Sequence, residues 1–206
     1  MTVVRSPGSF PIKAILLFTG VVLAMRLATH HPSSFPLLQP DLLGAALFLY
    51  APFLHYRKGR MASWTRLADA KRSAVLFLAL GTVGALAFLL VSLSPFSPFP
   101  AFHNAGTASL GAFVMRQALL VALPEEVFFR GYLYDAFEEK GWEPITASSL
   151  LFAAGHLVIH ASAYRALTFF PALLFGWGRK RSGNIYVPVL LHLLFNLFPY
   201  LPGVPG

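Results

Sequence analysis

The 206-residue sequence predicts an all-α membrane protein, a polytopic helical bundle of about seven spans with a polar pocket inside. Three observations lead there. Hydrophobic residues make up 56% and charged residues 12%, with a mean hydropathy of +0.64, whereas soluble domains carry about 25% charged residues. The charges gather in short connectors between apolar runs of near-spanning length. Lys and Arg crowd alternate connectors, the distribution that orients helices in a bilayer.

Taken in order, the first run is "PIKAILLFTGVVLAMRLAT" (11–29), too long for a secretory h-region and followed by no small-residue cleavage site in "HHPSSFP". It reads as a span. "DLLGAALFLYAPFLHY" (41–56) is short for a core of about 30 Å but can extend at both ends. Further runs fall near 73–94, 108–134, 146–161, 166–178 and 185–201, the sixth short enough to be partly re-entrant. No repeat, low-complexity segment or linker divides the chain, so 1–206 reads as a single membrane domain.

Orientation follows from the basic residues. Arg5 and Lys13 flank the first span; 57–72 holds Arg57, Lys58, Arg60, Arg66, Lys71 and Arg72; and 178–184 holds Arg179, Lys180 and Arg181. Segments 30–40 and 95–107 hold no Lys or Arg. Seven spans with the N-terminus cytoplasmic satisfy every loop, as expected of a multi-pass protein of the cell membrane. Topology and attraction to anionic lipid then account for the net charge of +8, and no nucleic-acid partner is needed. The absence of cysteine excludes disulfides, thiolate metal sites and a cysteine nucleophile.

As one helix, 108–134 would be about 40 Å long at ~1.5 Å per residue, so it should tilt or kink, and Pro124 supplies the place for a new helical segment to start. In "LPEEVFFRGYL" (123–133), Glu126 and Arg130 stand at i,i+4 and suit an ion pair. Glu125 points about 100° away and is left over. An unpaired ionisable group in a span costs on the order of 2.5–3.5 kcal/mol and marks a functional site by default.

Later spans add partners. "LLFAAGHLVIH" (150–160) places His156 and His160 on one face, with Gly155 leaving room for close approach, and "VLLHLLFNLF" (189–198) places His192 and Asn196 on another. Singly, each suits a core histidine or interhelical glue. Together they point to convergence on one polar pocket.

Several chemistries lack their signatures. There is no G-x-S-x-G elbow, the aspartates near spans, Asp41 and Asp135, lie at ends, and "HLVIH" lacks the glutamate of H-E-x-x-H. Zinc held by His156, His160 or His192 with Glu125 stays open. A route without metal or other cofactor has Glu125 and His156 activate a water while His192 and Asn196 donate to an oxyanion.

"EEVFFR" with "GYL", "FAAGH" and "HLLFN" resemble, in order, the E-E-x-x-x-R, F-x-x-x-H and H-x-x-x-N/D motifs of the CPBP (Abi) intramembrane proteases, which include the CAAX prenyl endopeptidases. The resemblance covers about 110–200, within a motif-bearing core of 108–201; 1–107 carries no match. It implies a glutamic-type endopeptidase in which Glu125 activates water, Glu126 and Arg130 support it, His156 positions the water, and His192 with Asn196 forms the oxyanion site. His160 and Arg116 have no place in the pattern. The partners implied are the bilayer and a membrane-associated protein or peptide cleaved near its C-terminal tail, whether prenylated tail, sorting tail or leader peptide. The same family implies an alternative, a non-catalytic immunity or scaffold protein, and the buried groups by themselves would also serve a proton-coupled transporter.

Overall fold

In the computed structural model, the structure describes residues 10–31, 39–56, 63–94 and 109–198. These are helical, and no strand occurs among them. Helix α1 spans Phe10–His30, α2 Pro40–Tyr56 and α3 Ala70–Ser92. One continuous helical body, α4, covers 110–140; α5 spans Pro144–His160, α6 Phe169–Ser182 and α7 Tyr186–Leu197. Arg5, Arg57, Lys58 and Arg60 lie outside the described residues, as does the end expected for the seventh span.

Local chemistry sets the ends. The Asp69 carboxylate accepts from the Arg72 amide at 2.8 Å and starts α3; the Ser109 hydroxyl accepts from the Ala112 amide at 3.3 Å and starts α4. Pro144 occupies the first turn of α5, where its missing N–H costs nothing, behind a Glu143 side chain that accepts from the Thr146 amide at 2.6 Å. Gly141 (φ 78°) and Gly183 (φ 71°) close α4 and α6 in the left-handed conformation. Asn184 then begins α7 by accepting from the Tyr186 and Val187 amides, while its Nδ2 donates to Ser73 Oγ of α3.

The helices alternate in direction, and contacts at each end prove it. At one end Phe10 of α1 stacks on His55 of α2 at 4.1 Å, Tyr56 donates to Asp135 of α4 at 2.8 Å, and Arg179 of α6 reaches Asp135 at 3.8 Å. At the other, His30 of α1 bonds the Ile159 carbonyl of α5 at 3.1 Å, and Asn196 of α7 donates to Gln117 of α4 at 2.9 Å. The core between them is aromatic: Phe48, Phe128, Phe129, Tyr132 and Phe152 pack edge to face or tilted. Leu78, Leu86 and Leu90 of α3 face outward, as a lipid-facing surface does. Among the described residues, two helices, α1 and α3, are long and apolar enough to cross a membrane.

Two expectations change. The sixth run is longer than expected: a 3₁₀ segment, Ala163–Thr168, precedes α6, and the two run from the Asn196 end to the Asp135 end. Together they span roughly 33 Å at ~2.0 and ~1.5 Å per residue. Nor does a new helix start at Pro124. The backbone stays helical through Ala122 (φ −61°) and Leu123 (φ −62°), and π-helical segments Gln117–Ala122 and Val127–Leu133 flank the turn Leu123–Glu126. The wider turns accommodate the proline ring that an α-helix would reject. Glu125 and Glu126 therefore do not sit at a free helix N-terminus.

Candidate active site

Helix α4 presents its two adjacent carboxylates to different surroundings. Glu126 is wholly buried, and its Oε1 accepts from Arg130 Nη1 at 3.0 Å and faces His192 Nδ1 at 2.8 Å. The first contact is the i,i+4 ion pair legible in the sequence; the second joins α4 to α7. The Arg130 guanidinium, equally buried, donates from Nη2 to the Ala172 carbonyl of α6 at 2.9 Å. It lies 4.8 Å from the Phe152 ring centroid and 5.3 Å from that of Phe175, contacts that hold a desolvated cation.

Glu125 is the leftover group. Its Oε2 is buried without a hydrogen-bond partner, and His192 Nε2 stands 3.9 Å away. That distance is too long for a direct hydrogen bond. His192 thus bridges the two carboxylates, its Nδ1 fixed by Glu126 and its Nε2 turned toward Glu125, with Phe175 stacked on the ring at 5.1 Å.

Glu125 and His192 open into a cavity of about 600 Å³, which His156, His160 and Asn196 also line. His156 bonds the Phe152 carbonyl through Nδ1 at 3.0 Å, which leaves Nε2 for other partners. Gly155 beside it admits Phe18 of α1, whose ring would stand 3.3 Å from an added Cβ. The structure therefore gathers Glu125, His156, His192 and Asn196 around one space, with Glu126 and Arg130 behind them. His160 is exposed at the edge of the cavity, 6.2 Å from His156 between ring centroids. Arg116 pairs with Asp41 of α2 at the rim.

Sequence reasoning missed Gln117. Its Oε1 accepts from Asn196 Nδ2 at 2.9 Å and so fixes which way that amide points. The signal was available: an amide in an apolar run, the same feature that singled out Asn196. Among the described residues, no three His, Asp or Glu side chains converge in a way that would hold a metal ion.

Residues 107–198 match the family model described as Type II CAAX prenyl endopeptidase Rce1-like. The matched stretch contains all three motifs, and its similarity is to the family that those motifs resemble. An Escherichia coli protein described as "Uncharacterized 24.3 kDa protein" is 34% identical over 79 residues, a stretch covering 36% of this chain and 36% of that protein. No solved structure matches the chain. The match over 107–198 and the apolar helices α1 and α3 together point to a membrane protein.

Proposed function

We propose that this protein is a seven-span intramembrane endopeptidase, N-terminus cytoplasmic, that hydrolyses a peptide bond near the membrane-associated tail of a substrate protein without a metal. The observation that carries the proposal is the unpartnered Glu125 Oε2, buried at the cavity wall 3.9 Å from His192 Nε2. A carboxylate is costly to hold there without a partner, and a water shared with His156 would supply one.

In the reaction, Glu125 takes a proton from that water as its oxygen attacks the scissile carbonyl carbon, and His156 Nε2 orients the water. The developing oxyanion is met by His192 Nε2–H and by the second N–H of Asn196 Nδ2, the first being engaged with Gln117. Glu126 holds the His192 ring through Nδ1 at 2.8 Å, which keeps Nε2 turned toward the cavity. Glu125 then passes its proton to the departing amine as the C–N bond breaks. Arg130 holds the Glu126 carboxylate in place at 3.0 Å without touching substrate.

The test compares mature C-termini of membrane and exported proteins between wild-type cells and cells carrying only Glu125→Gln. A defined set of proteins should retain an unprocessed tail in the variant. Unchanged termini, with the variant stably present, would refute C-terminal processing.

A further inference from the structure

The bundle has a chemically marked polarity, and the cavity lies at one pole. Its lining comes from the C-terminal ends of α1, α5 and α7 (Thr29, His160, Asn196) and from the N-terminal ends of α2 and α4 (Asp41, Gln117), with Arg165 from the 3₁₀ segment. Every one of these ends faces the same way in the alternating bundle.

The basic connectors are at the other pole. Segment 57–69 joins the end of α2 to the start of α3, where Ser73 meets Asn184 of the α6–α7 turn at 2.9 Å. Arg66, Lys71 and Arg72 sit beside that junction, Arg179, Lys180 and Arg181 close α6 there, and Lys140 closes α4. At the cavity pole, connectors 31–39 and 93–109 contain no Lys or Arg, the 3₁₀ connector holds Arg165 alone, and Arg26 and Arg116 on the helix ends bond the Val158 carbonyl and Asp41. Short loops rich in Lys and Arg stay cytoplasmic, and this bias decides orientation because the loops here are far below ~60 residues.

We infer that the catalytic cavity opens on the face of the membrane away from the cytoplasm, so its substrates are extracytoplasmic segments of exported or membrane proteins. The inference rests on the spanning-bundle reading above. A tail confined to the cytoplasm, including a protein prenylated and held there, meets the other pole, where among the described residues Phe10, His55 and Tyr132 pack together and Trp64 packs on Tyr56. An exported tail reaches Glu125 directly through the rim between Asp41, Arg116 and Arg165.

The sequence has no cysteine, so single substitutions report sidedness without background. Three full-length variants suffice: Ala166→Cys at the cavity pole, Leu120→Cys on the cavity wall and Glu138→Cys at the basic pole. Intact spheroplasts are treated with a small, charged, membrane-impermeant methanethiosulfonate, and remaining thiols are counted with a maleimide after lysis. Ala166→Cys and Leu120→Cys should be protected from the maleimide at least tenfold better than Glu138→Cys, which should react with the first reagent only in inverted vesicles. The reverse pattern overturns the inference while leaving the spanning bundle intact. Equal modification of both poles from outside overturns the spanning reading, and the inference with it. A proteome comparison of Glu125→Gln cells whose unprocessed bonds lie in cytoplasmic segments also overturns it.

Discussion

Replacing Arg130 by Met isolates the buried charge system from the chemistry it supports. Arg130 and Glu126 are each fully buried, joined at 3.0 Å, and Arg130 adds a 2.9 Å bond to the Ala172 carbonyl and three aromatic faces within 5.8 Å. Methionine keeps much of the stem volume but strands the Glu126 carboxylate with His192 as its one remaining partner. Removing one member of a buried pair costs about 3–5 kcal/mol because the survivor is left uncompensated. At 2–4 °C per kcal/mol for a chain of this size, the melting temperature should fall by roughly 6–20 °C. The readout is thermal unfolding in detergent followed by Trp64, which is buried in the same core. Glu126→Gln removes the stranded charge, so Glu126→Gln with Arg130→Met should cost about 2 kcal/mol less than the two single changes summed. An Arg130→Met protein as stable as wild type, or a double variant whose cost is additive, would refute the pairing argument.

Gly84→Ala should destabilise by about 1–3 kcal/mol and lower turnover, since the added Cβ would stand 2.0 Å from Phe195 Cζ and push the ring beside Asn196; unfolding and peptide-cleavage assays read both effects. Arg116→Ala should change stability by less than about 1 kcal/mol, because its pair with Asp41 is exposed and such pairs contribute little; a larger loss in thermal unfolding would contradict this. Burial pushes the Glu143 carboxyl up slightly, but the Thr146 amide outweighs it and holds the group below the usual carboxylate range. That stabilisation is present above the unfolded value of about 4.3 and is lost as pH falls through the lower folded value, so Glu143→Gln should flatten the melting-temperature profile below about pH 4.5.

The runs of apolar residues disclosed where the helices lie, and the i,i+4 spacings disclosed Glu126 with Arg130 and His192 with Asn196. These are local relations, set by helix geometry within one segment. What escaped is non-local: Gln117 meets Asn196 from 79 residues away, and Ala172 receives Arg130 across the bundle. The π-helical windings escaped for another reason. They arise where Pro124 removes a donor inside a helix that neighbouring helices hold straight, and the sequence alone equally suits a kink.

Those windings explain how two adjacent glutamates come to different ends. In a straight α-helix, eight residues turn about 80° beyond two full turns, so Gln117 and Glu125 would stand toward opposite edges of one face. Hydrogen bonds from residue i to i+5 wind the chain fewer degrees per residue and take up that excess, which brings Gln117, Val121 and Glu125 onto one wall. Glu126, a further step of roughly 100° around, is then carried inside toward Arg130 and His192. One carboxylate can stay buried and paired while its neighbour stays open because the helix changes its pitch on both sides of them, and restoring a regular pitch would turn Gln117 and Glu125 away from each other.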